Sequence, residues 1–307
     1  MSSLSITSRS QLELLKQAAF DRSVSILAKQ DAFTCCKRNL KYGSSSDDLP
    51  CALEADVQPK WNCYEFGAQS AQFSREFYRL TKDIGGGVIT IDMDANCEPH
   101  IEMDYRQFLI NRADQDFATH PPHVMVLATN CSSNSPLSVT HHRRHEEPVN
   151  GVPDTLHASR AIEFANSSAD FLVRLIVKGL EYNKLMLVVF ETPANFLQQQ
   201  PVYYDKLVHA LGLKEARFCR CRLYDTPIRK ETIILNNLAM WPVNRMSYEE
   251  RMCTGLHLCA RAGDKRKHDT ICIGPAAQAS AHLESALCED IARACRRELV
   301  FNDQLPE

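Results

Sequence analysis

The stretch His123-Val124-Met125-Val126-Leu127-Ala128-Thr129-Asn130-Cys131-Ser132-Ser133-Asn134-Ser135-Pro136 decides how the rest of the chain is read. An apolar run rich in Val and Leu stops abruptly in a polar turn that carries a cysteine. Runs of this kind belong to strands buried on both faces. Open α/β sheets collect ligands beyond the carboxyl ends of such strands, so the turn at Cys131 is where chemistry is expected.

Working upstream, the rhythm is strand, turn, helix. Cys63-Tyr64-Glu65-Phe66 reads as a first strand, and Gly67-Ala68-Gln69-Ser70-Ala71-Gln72 as a turn of small residues. Residues 73–81 read as a helix with Phe73, Phe77 and Leu80 on one face. Gly85-Gly86-Gly87, a flexible turn, breaks the chain before Val88-Ile89-Thr90-Ile91, a second strand that ends in Asp92-Met93-Asp94. In a dinucleotide-type βαβ unit the turn after the first strand holds a ligand, and an acid ending the second takes ribose hydroxyls. Here the turn has neither a phosphate-binding glycine pattern nor a Lys-Ser/Thr pair, so a nucleoside without a pyrophosphate fits it better. Residues 101–105 read as a short third strand carrying Asp104.

Downstream, residues 140–148 form a His- and Arg-rich solvated loop, and residues 155–182 a long helix with Ile162, Ala165, Ala169, Leu172, Leu175, Ile176 and Leu180 at helical spacing. Leu185-Met186-Leu187-Val188-Val189-Phe190 is the strongest strand, and it ends in Glu191-Thr192-Pro193. A helix is expected over 203–211, then a strand with a basic face over 217–223. The turn Asp225-Thr226-Pro227 and a strand over 231–238 complete an antiparallel hairpin. Residues 240–272 are Arg-, Cys- and His-rich without apolar periodicity, and residues 278–299 form a last helix. Cys253, His257, Cys259, His268 and Cys272 have the donor types of a zinc site, but their spacing matches no standard knuckle, so no metal is expected.

Composition narrows the class. With 44% hydrophobic and 24% charged residues, the 307-residue chain is that of a globular protein. A net charge of −3 gives no global signature for nucleic acid, which leaves only local patches such as Arg143-Arg144 and Lys265-Arg266-Lys267. Thirteen cysteines without a repeated spacing, and no signal segment at the start, imply reduced thiols and an intracellular location, nucleus or cytoplasm. No apolar stretch approaches the roughly 20 residues that span a bilayer, so no membrane partner is expected. Residues 1–60, with the Gly-Ser-Asp cluster at 42–48, read as an extension, partly helical or disordered, and residues 300–307 as a tail.

In this order, the residues over 61–299 resemble the DNA cytosine-5 methyltransferases, in a divergent short form. The resemblance is carried by Glu65-Phe66-Gly67-Ala68 with Phe73, Ile91-Asp92-Met93-Asp94, Asp104, Cys131-Ser132-Ser133, Val189-Phe190-Glu191-Thr192-Pro193 and Leu223-Tyr224-Asp225-Thr226-Pro227-Ile228-Arg229-Lys230. Gln278-Ala279-Ser280-Ala281-His282 is a weaker match. It implies a Rossmann-like α/β fold, three layers with a C-terminal antiparallel hairpin, and S-adenosylmethionine as cofactor. It also implies a Cys131 thiolate that adds to C6 of cytosine, Glu191 donating to N3 of the ring, and Arg229 and Lys230 supporting the base. Asp92 would take the ribose hydroxyls and Asp104 the adenine amino group, with Glu65, Phe66 and Gly67 lining the cofactor. The partner implied is DNA, with RNA the alternative. Little protein follows the hairpin to read sequence, so a partner protein would supply specificity. Four features depart from the family's pattern: Thr129-Asn130 replace paired prolines, Gln69 and Ala71 replace glycines, Thr192 replaces Asn, and Thr232 stands at the second spaced arginine. These departures leave a second expectation open, a catalytically inactive methyltransferase-like nucleic-acid-binding module.

Overall fold

The computed structural model describes residues 49–67, 71–128, 146–147, 150, 152–193, 201–224, 230–253 and 285–304, all within the unit from Tyr42 to Glu307. Seven strands form one sheet: β1 (Trp61–Phe66), β2 (Gly86–Asp92), β3 (Ile101–Glu102), β4 (Pro122–Ala128), β5 (Leu187–Pro193), β6 (Lys214–Cys219) and β7 (Glu231–Asn236). Their order is β3-β2-β1-β4-β5-β7-β6. Strands β1 to β5 are parallel, and β7 runs antiparallel to both of its neighbours.

Alternation along the strands assigns the two faces. On one, Cys63, Val88, Val124, Val126, Leu187, Val189, Phe218 and Ile234 pack with Phe73 and Phe77 of helix α1 (Gln72–Thr81). On the other, Tyr64, Phe66, Ile89, Met125, Leu127, Val188, Phe190 and Leu235 pack with Phe108 of α2 (Tyr105–Asn111) and Phe117 of α3 (Ala113–Thr119). Leu172 and Ile176 of α4 (Leu156–Tyr182) close that face. The first face is completed by Leu287, Ile291 and Ala294 of α5 (Ser285–Asp303). The result is the expected Rossmann-like α/β fold of three layers with an antiparallel hairpin at one edge. Chain connections lead from β1 outward to β2 and β3 in one direction and to β4 and β5 in the other, which opens a topological switch point between β1 and β4.

Several local expectations are corrected. The three glycines are not merely a turn, because β2 begins at Gly86. A Cβ there would lie 1.9 Å from Thr81 Oγ1, and one at Gly87 would lie 2.5 Å from Pro59 Cγ, so both positions need bare backbone for close packing. The third strand is only two residues long, since Asp104 accepts the Arg106 backbone N–H and starts α2 as its N-cap. Strand β5 runs through Glu191 to Pro193 because Ile234, Ile233 and Thr232 of β7 pair with its last three residues. Strand β6 starts earlier than expected, at Lys214, and stops at Cys219, with Arg220–Leu223 forming a helical turn instead of continuing the strand. The end of the extension packs on the sheet, with Leu49 and Ala52 buried and Cys51 bridged to Val88.

Among the described residues, no helix is long and apolar enough to cross a membrane. The cluster at 42–48, Cys131, the loop at 140–145, the hairpin tip with Arg229, and the Cys/His-rich segment beyond Cys253 lie outside the described residues.

Candidate functional site

The carboxyl ends of β1, β2 and β5 bring acids onto one sheet face. Glu65 lies one residue before the end of β1 and two beyond Cys63, Asp92 ends β2 four beyond Val88, and Glu191 lies in β5 two beyond Val189; all share the parity of the α1/α5 face. The backbone enters this end through two left-handed residues, Gly67 at φ 72° and Ala71 at φ 50°. At Gly67 a Cβ would approach only the Ala128 carbonyl, at 3.8 Å, so conformation and not space calls for glycine. At Ala71 the left-handed backbone is strained for a residue with a Cβ, which is a feature of ligand-binding loops. Between them lie residues 68–70, outside the described set.

Glu65 is 7% exposed, and its carboxyl accepts the Ser74 backbone N–H at 2.9 Å in the first turn of α1. Burial pushes the group up to about 7; its bonds from Ser74 oppose this, the Asp92 carboxylate adds to it, and Arg75 opposes it. Asp92 is half-buried, with Oδ1 accepting the Asp94 N–H at 2.9 Å and its carbonyl accepting the Met103 N–H at 2.8 Å. Met93, the next residue along the chain, is an apolar side chain 49% exposed.

Other predicted residues occupy different positions. Phe66 is 1% exposed on the opposite sheet face, its ring 5.3 Å from Phe108 in a T-shaped contact, so as placed it belongs to the core. Asp104 is buried and already held by the Arg106 fork, with Nε donating to Oδ1 at 2.7 Å and Nη2 to Oδ2 at 2.6 Å. Lys230 precedes β7, where its carbonyl accepts the Arg220 backbone N–H at 2.9 Å. Cys131 and Arg229 lie outside the described residues.

Glu191 stands beside Ala128, the last described residue of β4, and opposite Ile234 of β7. Its Oε1 receives a bond from Arg220 Nη2 at 3.1 Å, while Arg220 Nε donates to Thr232 Oγ1 at 2.8 Å. Arg220 is fully buried. The sequence gives little sign of this residue, because residues 217–223 read as a continuing strand with a basic face. The only signal is that Arg220 shares strand parity with the apolar Ala216 and Phe218.

No group of three or more metal-binding side chains is found among the described residues. Cys253 packs in a small buried cluster with Cys219, Cys221 and Met252, and the other four zinc-type residues lie outside the described set.

The class defined by this arrangement is a Rossmann-like α/β protein with acidic side chains at the carboxyl ends of strands on either side of its switch point. No family model matches the chain, and no curated protein is found to be similar. Among solved structures, a methyltransferase of Entamoeba histolytica is similar at a TM-score of 0.39 and 13% sequence identity, with 60% of this chain and 55% of that chain covered. The match thus spans little more than half of that protein's length.

Proposed function

We propose that this protein is an S-adenosylmethionine-dependent methyltransferase that methylates C5 of cytosine in DNA. The observation that carries the reading is that Glu65, Asp92 and Glu191 lie at the carboxyl ends of β1, β2 and β5 with the same strand parity, on either side of the switch point between β1 and β4. Two of these acids suit the two halves of the cofactor. Asp92, partly exposed, offers acceptors for ribose hydroxyls, and Met93 offers an apolar surface for the adenine ring. Glu65, beneath the start of α1, meets the cationic amino-acid end. Asp104, bound by Arg106, acts by fixing the turn after β3 that the Met103 N–H ties to Asp92. Gly67 shapes the turn between these groups.

When bound, S-adenosylmethionine supplies an electrophilic methyl group. The protein's part is to make the base a nucleophile. Cys131, three residues past the end of β4, adds its thiolate to C6 and places electron density on C5, a covalent route that divides one hard step into two. Glu191, in the adjacent strand, would donate a proton to N3 as the thiolate adds to C6, so that the ring does not build up negative charge. After methyl transfer, a water would take the C5 proton, the C5–H electron pair would form the C5–C6 double bond as the Cys131 thiolate leaves C6, and the N3 proton would return to Glu191, which restores the enzyme. The base leaves the duplex stack to reach the strand ends, at about a few kcal/mol.

Titration calorimetry with S-adenosylmethionine, then trapping with DNA containing 5-fluorocytosine, tests this. The expected result is cofactor binding and a covalent adduct that Cys131→Ala abolishes while cofactor affinity is kept. No cofactor binding at millimolar ligand refutes the proposal, and an adduct that survives Cys131→Ala refutes the nucleophile. DNA binding with neither adduct nor transfer supports the inactive binding module instead. A matched RNA arm distinguishes the nucleic acid, and weak sequence preference by the isolated chain is expected if a partner protein supplies specificity.

A further inference from the structure

We propose that Arg220 is the positioning residue that orients the Glu191 side chain toward the base, a role apart from the support of the base that resemblance gives to Arg229 and Lys230; this rests on the function proposed above. Arginine is almost never fully buried unless it is paired, and Arg220 is 0% exposed. A buried ion pair is a poor device for stability alone, because desolvation of both charges offsets their attraction and an apolar pair of similar volume does as well or better. The presence of such a pair near the carboxyl ends of the strands therefore points to a role at the site.

The geometry shows how it acts. The guanidinium is planar, so bonds from two of its nitrogens fix its plane as well as its place. Nε is held by Thr232 Oγ1 at 2.8 Å, the residue's backbone N–H by the Lys230 carbonyl at 2.9 Å, and Nη2 is thereby aimed at Glu191 Oε1 at 3.1 Å. In this pair the arginine side chain is 0% exposed and the glutamate 11% exposed. The carboxylate alone reaches the surface, so Arg220 acts through Glu191 and does not touch substrate. Thr232, where the family has a spaced arginine, is the anchor for a guanidinium that arrives instead from the end of β6.

The test is a double-mutant cycle on the full chain with Arg220→Lys, Glu191→Gln and both together. It reads single-turnover methyl transfer from labelled S-adenosylmethionine to cytosine-containing DNA, cofactor Kd by calorimetry, and thermal melting. A lysine keeps the charge and loses the fork, so Arg220→Lys is expected to slow transfer about 10²-fold, as misplacement of a reacting group by an ångström does, with cofactor Kd within about twofold (an affinity change of roughly 0.4 kcal/mol or less). In the Glu191→Gln background the same change is expected to add no further loss, because residues that act as a unit are not additive. Arg220→Met combined with Glu191→Gln removes both charges of this pair and serves if Arg220→Lys fails to fold; it is expected to match Glu191→Gln alone. Transfer at the unsubstituted rate in Arg220→Lys, multiplicative losses in either double variant, or a parallel loss of cofactor affinity overturns the positioning role while leaving the methyltransferase reading intact. An unsubstituted chain that transfers no methyl group removes that reading and the role together.

Discussion

Glu65→Gln isolates one buried carboxyl whose ionisation is set against folding. The group is 7% exposed, and burial raises it from 4.5 to about 7. Below pH 4.5 the carboxyl is protonated whether the chain is folded or not, and it carries no electrostatic penalty. Between 4.5 and about 7 the unfolded chain loses the proton while the folded protein keeps it, so stability falls as pH rises. Above about 7 both states are ionised and the loss is complete. The interval from 4.5 to about 7, at about 1.4 kcal/mol per pH unit, amounts to about 3 kcal/mol.

A glutamine has the same shape, and its carbonyl oxygen still accepts the Ser74 N–H that now bonds Glu65 Oε2 at 2.9 Å. Glu65→Gln should therefore leave stability near pH 4.5 almost unchanged and raise it by about 3 kcal/mol at pH 8 relative to the unsubstituted protein. Urea unfolding of both proteins across this range, at equal slope m, reads the difference directly, and contributions from every other carboxyl cancel in it. Two curves that run parallel from pH 4.5 to 8 would refute the reasoning, since the carboxyl would then titrate alike in the folded and unfolded chain.

The same carboxyl predicts that affinity for the cationic S-adenosylmethionine rises between pH 6 and 8 and that Glu65→Gln flattens this dependence, as calorimetry in buffers of matched ionic strength would record. Gly86→Ala and Gly87→Ala, each forcing a Cβ to within 2.5 Å or less of Thr81 or Pro59, should each cost about 1–3 kcal/mol in denaturant unfolding. Gly179→Ala in α4 meets only the sulfur and methyl ends of Met186 and Met125, which can shift, so a gain in helix propensity of about 1 kcal/mol should keep it near neutral. Thr232→Val removes the acceptor for Arg220 Nε and should destabilise by about 1–3 kcal/mol, with a larger loss of methyl transfer than of cofactor affinity.

What could be read from the sequence was whatever repeats along a strand or helix. Val124 to Ala128 and Leu187 to Phe190 announce buried parallel strands because every position is apolar, and Phe73 and Phe77 announce the helix between β1 and β2 because they fall on one stripe. Boundaries were less legible because pairing partners set them: β5 continues through Glu191, a residue that reads as a terminator, since β7 supplies a partner for it. Asp104 shows the same limit from the other side, reading as a strand acid when its place is decided by the helix it caps.

Arg220 shows why a site can be hidden in a sequence whose fold is plain. Periodicity records which side of a strand a residue takes, and on that count Arg220 belongs with Ala216 and Phe218 in the core. Residue type says the opposite, since a guanidinium ordinarily faces water. The conflict is resolved only by Glu191 and Thr232, which lie 29 and 12 residues away and come near only when β6, β7 and β5 assemble side by side. Each residue alone has an ordinary reading: a basic strand face, an acid ending a strand, a β-branched residue in a hairpin. Their common meaning follows from strand order, because β7 inserts between β5 and β6 and carries Thr232 to the point where the arginine of one neighbour meets the carboxylate of the other. A pair placed in this way depends on the hairpin's register. A one-residue slip of β7 would turn Thr232 to the opposite face and leave Arg220 Nε without its acceptor, so the hairpin that closes the sheet also sets the geometry of Glu191.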